Sequence, residues 1–253
     1  MDILIYIIGG LMAGIATGLV GLSAATIIAP LFATVLKMNP YVAIGIALAS
    51  DVFASALSAF NYIKHKNIHL KNASIMAVTV VLFTIIASYY SSQTDPTNLG
   101  GWLNIFVVAL GLRFLLFPLN GNASSKIFTM TKSKLIQSIF WGALIGSING
   151  FFGAGGGLSM LAILTIILGY DLKTGVGTSV FIMTFTAFVG AATHILLEQT
   201  FWIPLIITSI SAMIGANISS KYANKIENKL LNKIIGAFIL TFGIVLIIVY
   251  YTN

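Results

Sequence analysis

Two glycine-rich runs stand out among the residues whose types and spacing allow chemistry: Gly18-Leu19-Val20-Gly21-Leu22-Ser23 and Gly150-Phe151-Phe152-Gly153-Ala154-Gly155-Gly156-Gly157. Glycine admits backbone turns that other residues resist, so each run is expected to interrupt a helix. A broken helix leaves N–H and C=O groups unpaired, which within hydrocarbon is costly unless they line protein or a wet cavity. In the second run the glycines let consecutive N–H groups converge at the positive end of the helix that starts near Leu158, a geometry suited to an anion. Gly153, Gly155, Gly156, Gly157 and Ser159 are candidate binding residues there. Thr174-Gly175-Val176-Gly177-Thr178-Ser179 adds Gly177, Thr178 and Ser179. Gly21, Ser23, Thr26 and Gly45 hold the equivalent places in the first half. Few donors and no lysine suit a small anion held reversibly. Close packing of membrane helices also favours glycine, and for any single glycine that is the competing reading.

Asp51 is the only carboxylate deep in an apolar segment, and Ser55, Ser58 and Tyr62 follow it at i+4, i+7 and i+11. That spacing draws one polar stripe on an interior-facing side of a helix. A carboxylate at such depth is expensive and functional by default, here as a proton carrier. A protonated Asp packed onto serines is the alternative. His194, near the outer end of its segment, could titrate near neutral pH and join Asp51 in proton coupling, or serve at the interface. Arg113 lies within snorkelling reach of the inner boundary, where an interior anion is a second possible contact. Gly21-Leu22-Ser23-Ala24 with His194 is similar to the serine and histidine of intramembrane rhomboid-type proteases. Its fourth position is Ala rather than Gly and no other catalytic motif recurs, so no catalytic residue is assigned and the chain is not read as an enzyme. His65 and His69 have a spacing that can hold a metal. Lys64, Lys66 and Lys71 surround them with charge that opposes a cation, so no metal and no cofactor are expected.

These residues are embedded in a chain of 253 residues that is 58% apolar and 8% charged, against roughly 45–50% and about 25% in soluble domains. Asp2 to Lys37, Lys134 to Asp171 and Lys173 to Glu198 each enclose more than the ~20 apolar residues that cross a bilayer. The chain is therefore predicted to be an all-α, polytopic membrane protein. An outer-membrane barrel would show alternating ~10-residue segments, and a nucleic-acid-binding protein would gather its basic residues on one soluble face. Neither pattern occurs. Cysteine is absent, which removes disulfides, thiolate metal sites and thiol nucleophiles. Met1-Asp2-Ile3 lacks the basic region of a signal peptide, so the first apolar segment is expected to be retained.

Sliding the chain on itself exposes a repeat. An offset of 132 lays Gly18, Gly21, Leu36, Gly45 and Ala59 on Gly150, Gly153, Leu168, Gly177 and Ala191. The order of broken segment and three helices recurs, which divides the chain into a first repeat (1–119), a connection (120–134) and a second repeat (135–253). Ile3 to Leu36 and Leu135 to Leu168 are 34 residues each, about 50 Å of helix for a hydrocarbon layer about 30 Å thick. Basic residues fix how they fold. Lys64, Lys66 and Lys71, then Lys126, Lys132 and Lys134, then Lys221, Lys225, Lys229 and Lys233 mark three loops that belong in the cytoplasm. All three lie on one side only if each long stretch is a hairpin that turns back at its glycines. Both termini then face outward from the cytoplasmic (inner) membrane, and the two repeats are inverted. Inverted repeats with interrupted segments are a plan of secondary transporters.

The motifs Gly153-Ala154-Gly155-Gly156-Gly157 and Gly175-Val176-Gly177-Thr178-Ser179 resemble the duplicated signature of the sulfite exporter TauE/SafE family, also described as toluene-sulfonate uptake permeases. That signature is a G-x-G-G-G-x break, a small apolar helix and an A-V-G-T-S-like run. Gly21-Leu22-Ser23-Ala24-Ala25 and Ala43-Ile44-Gly45-Ile46-Ala47 are the first-half counterparts, and the resemblance spans essentially the whole chain. It implies transport of sulfur-containing oxyanions or organosulfonates, such as sulfite or sulfoacetate, coupled to the proton gradient. The expected partners are then a small anion, protons and the lipid bilayer, with no nucleic acid and no oligomeric state assigned. A passive anion channel shares the same fold and site, and the intramembrane serine protease is the remaining alternative.

Overall fold

The computed structural model describes residues 2–91, 116, 132–152, 156–197 and 201–252. Among them regular structure is helical: α1 (Asp2–Val20), α2 (Ala25–Val35), α3 (Pro40–Lys64), α4 (Leu70–Ser91), α5 (Lys132–Phe152), α6 (Gly156–Ala162) continued by a π-helical turn (Ile163–Ile167), α7 (Leu172–Leu197), α8 (Trp202–Lys225) and α9 (Asn228–Thr252). Arg113, Gly153, Gly155 and most of the connection 120–134 lie outside the described residues. Five of the described helices contain stretches long and apolar enough to cross a membrane: Asp2–Val20, Val42–Lys64, Leu70–Ala87, Leu172–Ala192 and Trp202–Lys225.

Helix α8 sorts its residues opposite to a soluble protein. On α8, Ile203, Ile206, Ile210, Ile214 and Ile218 recur every three or four residues and are all at least half exposed. The buried face carries Thr208, Ser211, Ala212, Gly215, Ala216 and Ser219. Bulky side chains point to lipid and small ones inward, since in a bilayer close backbone approach holds helices together better than apolar bulk does.

The small residues also fix which helices pair and in which direction. A Cβ at Gly10 would fall 2.6 Å from the Thr208 carbonyl oxygen, at Gly14 2.0 Å from that of Ala212, and at Gly18 2.1 Å from Ser219 Oγ. The partners advance together, so α1 and α8 run parallel in tight contact. By the same logic Gly142 meets Met76 and Thr79 while Gly146 meets Val80 and Phe83, which makes α4 and α5 parallel. Hydroxyl and amide pairs tie α3 to α8 in parallel: Ser50 to Ser209 at 3.2 Å, Asn61 to Asn217 at 3.1 Å and Asn61 to Ser220 at 2.8 Å. In contrast α3 and α7 are antiparallel, with Gly177 against Tyr62 and Gly190 against Leu48.

Three basic segments share one face. Asn67, in the α3–α4 turn, donates to Asn224 Oδ1 near the end of α8, and Lys173 Nζ, at the start of α7, donates to the Asn224 carbonyl at 3.0 Å. Ser138, near the start of α5, donates to Asn72 Oδ1 at 2.8 Å, and the Asn72 amide reaches the Tyr170 hydroxyl. Tyr170 lies in the turn before α7, where burial, partly opposed by that hydrogen bond, pushes its hydroxyl up to about 12.

Among the described residues the α1–α8 contact holds the tightest glycine positions, at Gly14 and Gly18. Gly14→Leu is expected to destabilise by at least about 3 kcal/mol, because backbone rather than a movable side chain blocks the added group. Gly190→Ala, which meets only the flexible tip of Leu48 at 3.0 Å, should cost under about 1 kcal/mol. Thermal unfolding of both variants in detergent checks the ranking.

Candidate functional site

The first interruption lies between α1 and α2. Gly21 has φ +72, a left-handed conformation that side chains resist, and its N–H still bonds Thr17 O at 3.0 Å. Carbonyls at the end of α1 find partners on other helices. Tyr62 donates its hydroxyl to Gly18 O at 3.0 Å, and Ser179 donates to Gly21 O at 3.1 Å. Both side chains are fully buried.

At the start of α2 the free groups are N–H, and Asp51 meets them. Ser23 Oγ donates to Asp51 Oδ2 at 2.5 Å, and the Ala24 amide donates to Oδ1 at 3.0 Å. Ser23 Oγ in turn accepts from the Ala25 amide at 3.3 Å. The amides of Thr26, Ile27 and Ile28 bond the carbonyls of Ser23 and Ala24. From Ala24 to Ile28 every amide is therefore engaged. Asp51 is 1% exposed, and among the described residues the contacts that act on its carboxylate are Ser23 and Ala24. Its carboxyl group is seated at the positive end of α2, where a helix N-terminus favours negative charge.

The second glycine run comes to the same spot. A Cβ on Gly157 would fall 2.9 Å from the Gly21 carbonyl oxygen and 3.0 Å from the Ser23 nitrogen. Backbone thus touches backbone between the two interruptions, and only glycine at 157 permits it. Ser179 Oγ, besides its bond to Gly21, lies 3.5 Å from Gly157 O and 3.6 Å from Met183 Sδ. Gly21, Ser23, Gly157, Ser179 and Asp51 form one cluster.

The other candidates are distributed around it. Gly156 opens α6, and Ser159 and Thr26 are buried. Thr178 is fully buried and its hydroxyl has no hydrogen-bond partner among the described residues. Gly177 faces away from the cluster, where a Cβ would fall 2.4 Å from Asn67 O and 2.9 Å from Tyr62 Cβ, so its position is explained by the α3–α7 crossing. Gly45 is buried in the first part of α3. His194 belongs to α7. The two loop histidines diverge: His65 Nδ1 is 2.7 Å from Asn61 O, whereas the His69 ring packs edge-on to Tyr170.

Sequence reasoning did not pair Asp51 with Ser23, since 28 residues and a chain reversal separate them. It also missed Met183 as a member of the cluster. The offset of 132 held a signal for that, because it places Met183 on Asp51 and Gly155 on Ser23.

Substitutions at the pair should separate charge from hydrogen bonding. Asp51→Asn, which can still accept from Ala24 N–H, is expected to stay within about 1 kcal/mol of the native chain, whereas Asp51→Leu strands a buried amide and hydroxyl and should cost about 2–3 kcal/mol. Ser23→Ala should fall between them. Melting temperatures measured in one detergent give the order, and a neutral Asp51→Leu would contradict it.

A family model described as "Sulfite exporter TauE/SafE" matches residues 6–246. The chain is similar to the probable membrane transporter protein YunE of Bacillus subtilis, 26% identical over 80% of this chain and 82% of that protein. A probable membrane transporter protein of Methanocaldococcus jannaschii is 25% identical over 76% of this chain and 72% of its own. One from Haemophilus influenzae is 26% identical over 71% and 68%. No solved structure matches the chain.

Proposed function

We propose, starting from the fact that this chain belongs to the sulfite exporter TauE/SafE family of membrane transporters, that it is a proton-coupled secondary transporter of small sulfur-containing anions. Sulfite, sulfoacetate and other organosulfonates are the substrate class. The observation that carries the reading is the buried carboxylate of Asp51 bound to the amide and hydroxyl of a broken helix, beside the contact between Gly21 and Gly157.

An ionised Asp51 holds Ser23 Oγ and Ala24 N–H for itself. When it takes up a proton its hold weakens, and two donors at the positive end of α2 become available to an incoming anion. The second half has Met183 and Gly155 where the first has Asp51 and Ser23. Among the described residues that half offers the start of α6 and the partnerless hydroxyl of Thr178, with Met183 rather than a carboxylate at the place of Asp51. The anion therefore lodges on the second-half side while the first half carries the proton. Proton and anion bind together, which removes most of the charge that would oppose movement through a low-dielectric interior. His194 is the relay residue nearer the end of α7.

An inverted repeat supplies the alternation. Adding 132 to the bounds of α1, α2, α3 and α4 gives 134–152, 157–167, 172–196 and 202–223, close to α5, α6 with its π-turn, α7 and α8. The antiparallel pairing of α3 with its counterpart α7 supports opposite orientation of the halves. Parallel α1 and α3 support a hairpin in which α1 and α2 enter and leave on one side, and the shared basic face supports a cytoplasmic assignment for it. Both termini then lie outside, and rocking one half on the other exposes the cluster to each side in turn.

Purified protein in liposomes tests this. An inward proton gradient should drive sulfite or sulfoacetate above its equilibrium level, and Asp51→Asn should keep anion exchange while losing at least about tenfold of the gradient-driven accumulation. Thr178→Val should weaken anion affinity roughly fivefold to tenfold. Flux that never exceeds equilibrium would make the protein a passive channel, and no flux of any of these anions would remove the substrate class.

A further inference from the structure

Far from the transport cluster, the ends of α3 and α8 enclose a cavity of about 380 Å³. Lys64 is 13 residues beyond Asp51 on α3, about 20 Å along the helix, so the two sites do not overlap. Lys64, His65, Lys221 and Lys225 form the rim, and Leu57 and Phe60 form the wall. The floor is held by Asn61, whose amide bonds both Asn217 and Ser220 across the parallel helices.

Charge is the first argument. No ion pair involves Lys64, Lys221 or Lys225 among the described residues, and all three are exposed. Lys64 and Lys225 sit in the last turns of α3 and α8, where a cation ordinarily balances the partial negative charge of a helix end. Lys221 and His65 exceed that need. Three ammonium groups around one small cavity repel one another unless an anion joins them.

Shape is the second. Phe60 is 60% exposed, on the side of α3 that meets lipid, so the cavity opens sideways into the bilayer as well as outward to water. A cationic rim above an apolar wall suits a molecule with an anionic head and acyl chains, and a freely soluble anion has no use for the Phe60 side. We propose that this cavity is a binding site for an anionic phospholipid, with the phosphodiester between Lys64, Lys221 and Lys225 and an acyl chain along Leu57 and Phe60.

The full chain in neutral detergent is titrated with phosphatidylglycerol, with phosphatidylcholine of the same acyl chains, and with sodium phosphate, following the melting temperature and lipid adducts by native mass spectrometry. Phosphatidylglycerol should stabilise and remain bound, and the other two should not. Lys64→Gln, Lys221→Gln and Lys225→Gln should each weaken phosphatidylglycerol about fivefold. Lys71→Gln, on the same face but outside the cavity, should leave binding unchanged. Equal effects of the two lipids, full reproduction by phosphate, retention of binding in the combined lysine variant, or an equal loss in Lys71→Gln would each overturn the site.

Discussion

An interrupted helix inside a bilayer must be completed by protein, because no water is at hand to take its loose ends. The chain meets this constraint with three side chains from helices that α1 and α2 do not include. Asp51 and Tyr62 of α3 and Ser179 of α7 supply the missing partners. Each removes a cost of desolvation that would otherwise straighten or unfold the segment. The arrangement also explains why α3 is central, since it contacts α1, α2, α7 and α8 and carries its polar residues on the buried side. Ser50, Asp51, Ser55, Ser58 and Asn61 are all buried, and a helix with such a stripe has no stable place facing lipid.

The two interruptions meet this constraint differently. The first seats a carboxylate on its broken helix, whereas the corresponding position in the second is a methionine whose sulfur lies beside Gly157 and Ser179. On the proposed function, that difference lets one interruption carry a proton and the other an anion. A symmetric pair of carboxylates would repel an anionic substrate from both sides, and a symmetric pair of glycine cradles would offer no coupling group.

Much of the architecture was legible in the sequence because membrane helices carry coarse signals. Length, apolar runs and clustered lysines identify an all-α membrane protein, and the bounds of the described helices fall close to the punctuation by Gly21 and by the Gly150 to Gly157 run. The burial of Ser55, Ser58 and Tyr62 together with Asp51 followed from helical spacing alone. Less legible were tertiary hydrogen bonds. Whether Ser23 serves an external anion or Asp51 depends on a reversal that brings residue 23 back to the middle of α3, and no local pattern encodes that registry. Gly177 shows a second kind of information that spacing does not carry. Its neighbours Thr178 and Ser179 suggested a binding glycine, yet its face of α7 is filled by Tyr62 and Asn67, and periodicity within a motif does not say which residue looks which way.

The contact of α1 with α8 joins segments 205 residues apart, as Ser219 reaches back to Gly14. Synthesis proceeds from the N-terminus, so α1, with its row of glycines, enters the membrane long before its partner exists. Until α8 emerges, those close-packing surfaces face lipid or whatever helix happens to be near. A later helix is thus needed to lock an earlier one, and a chain truncated before α8 leaves α1 without its principal neighbour.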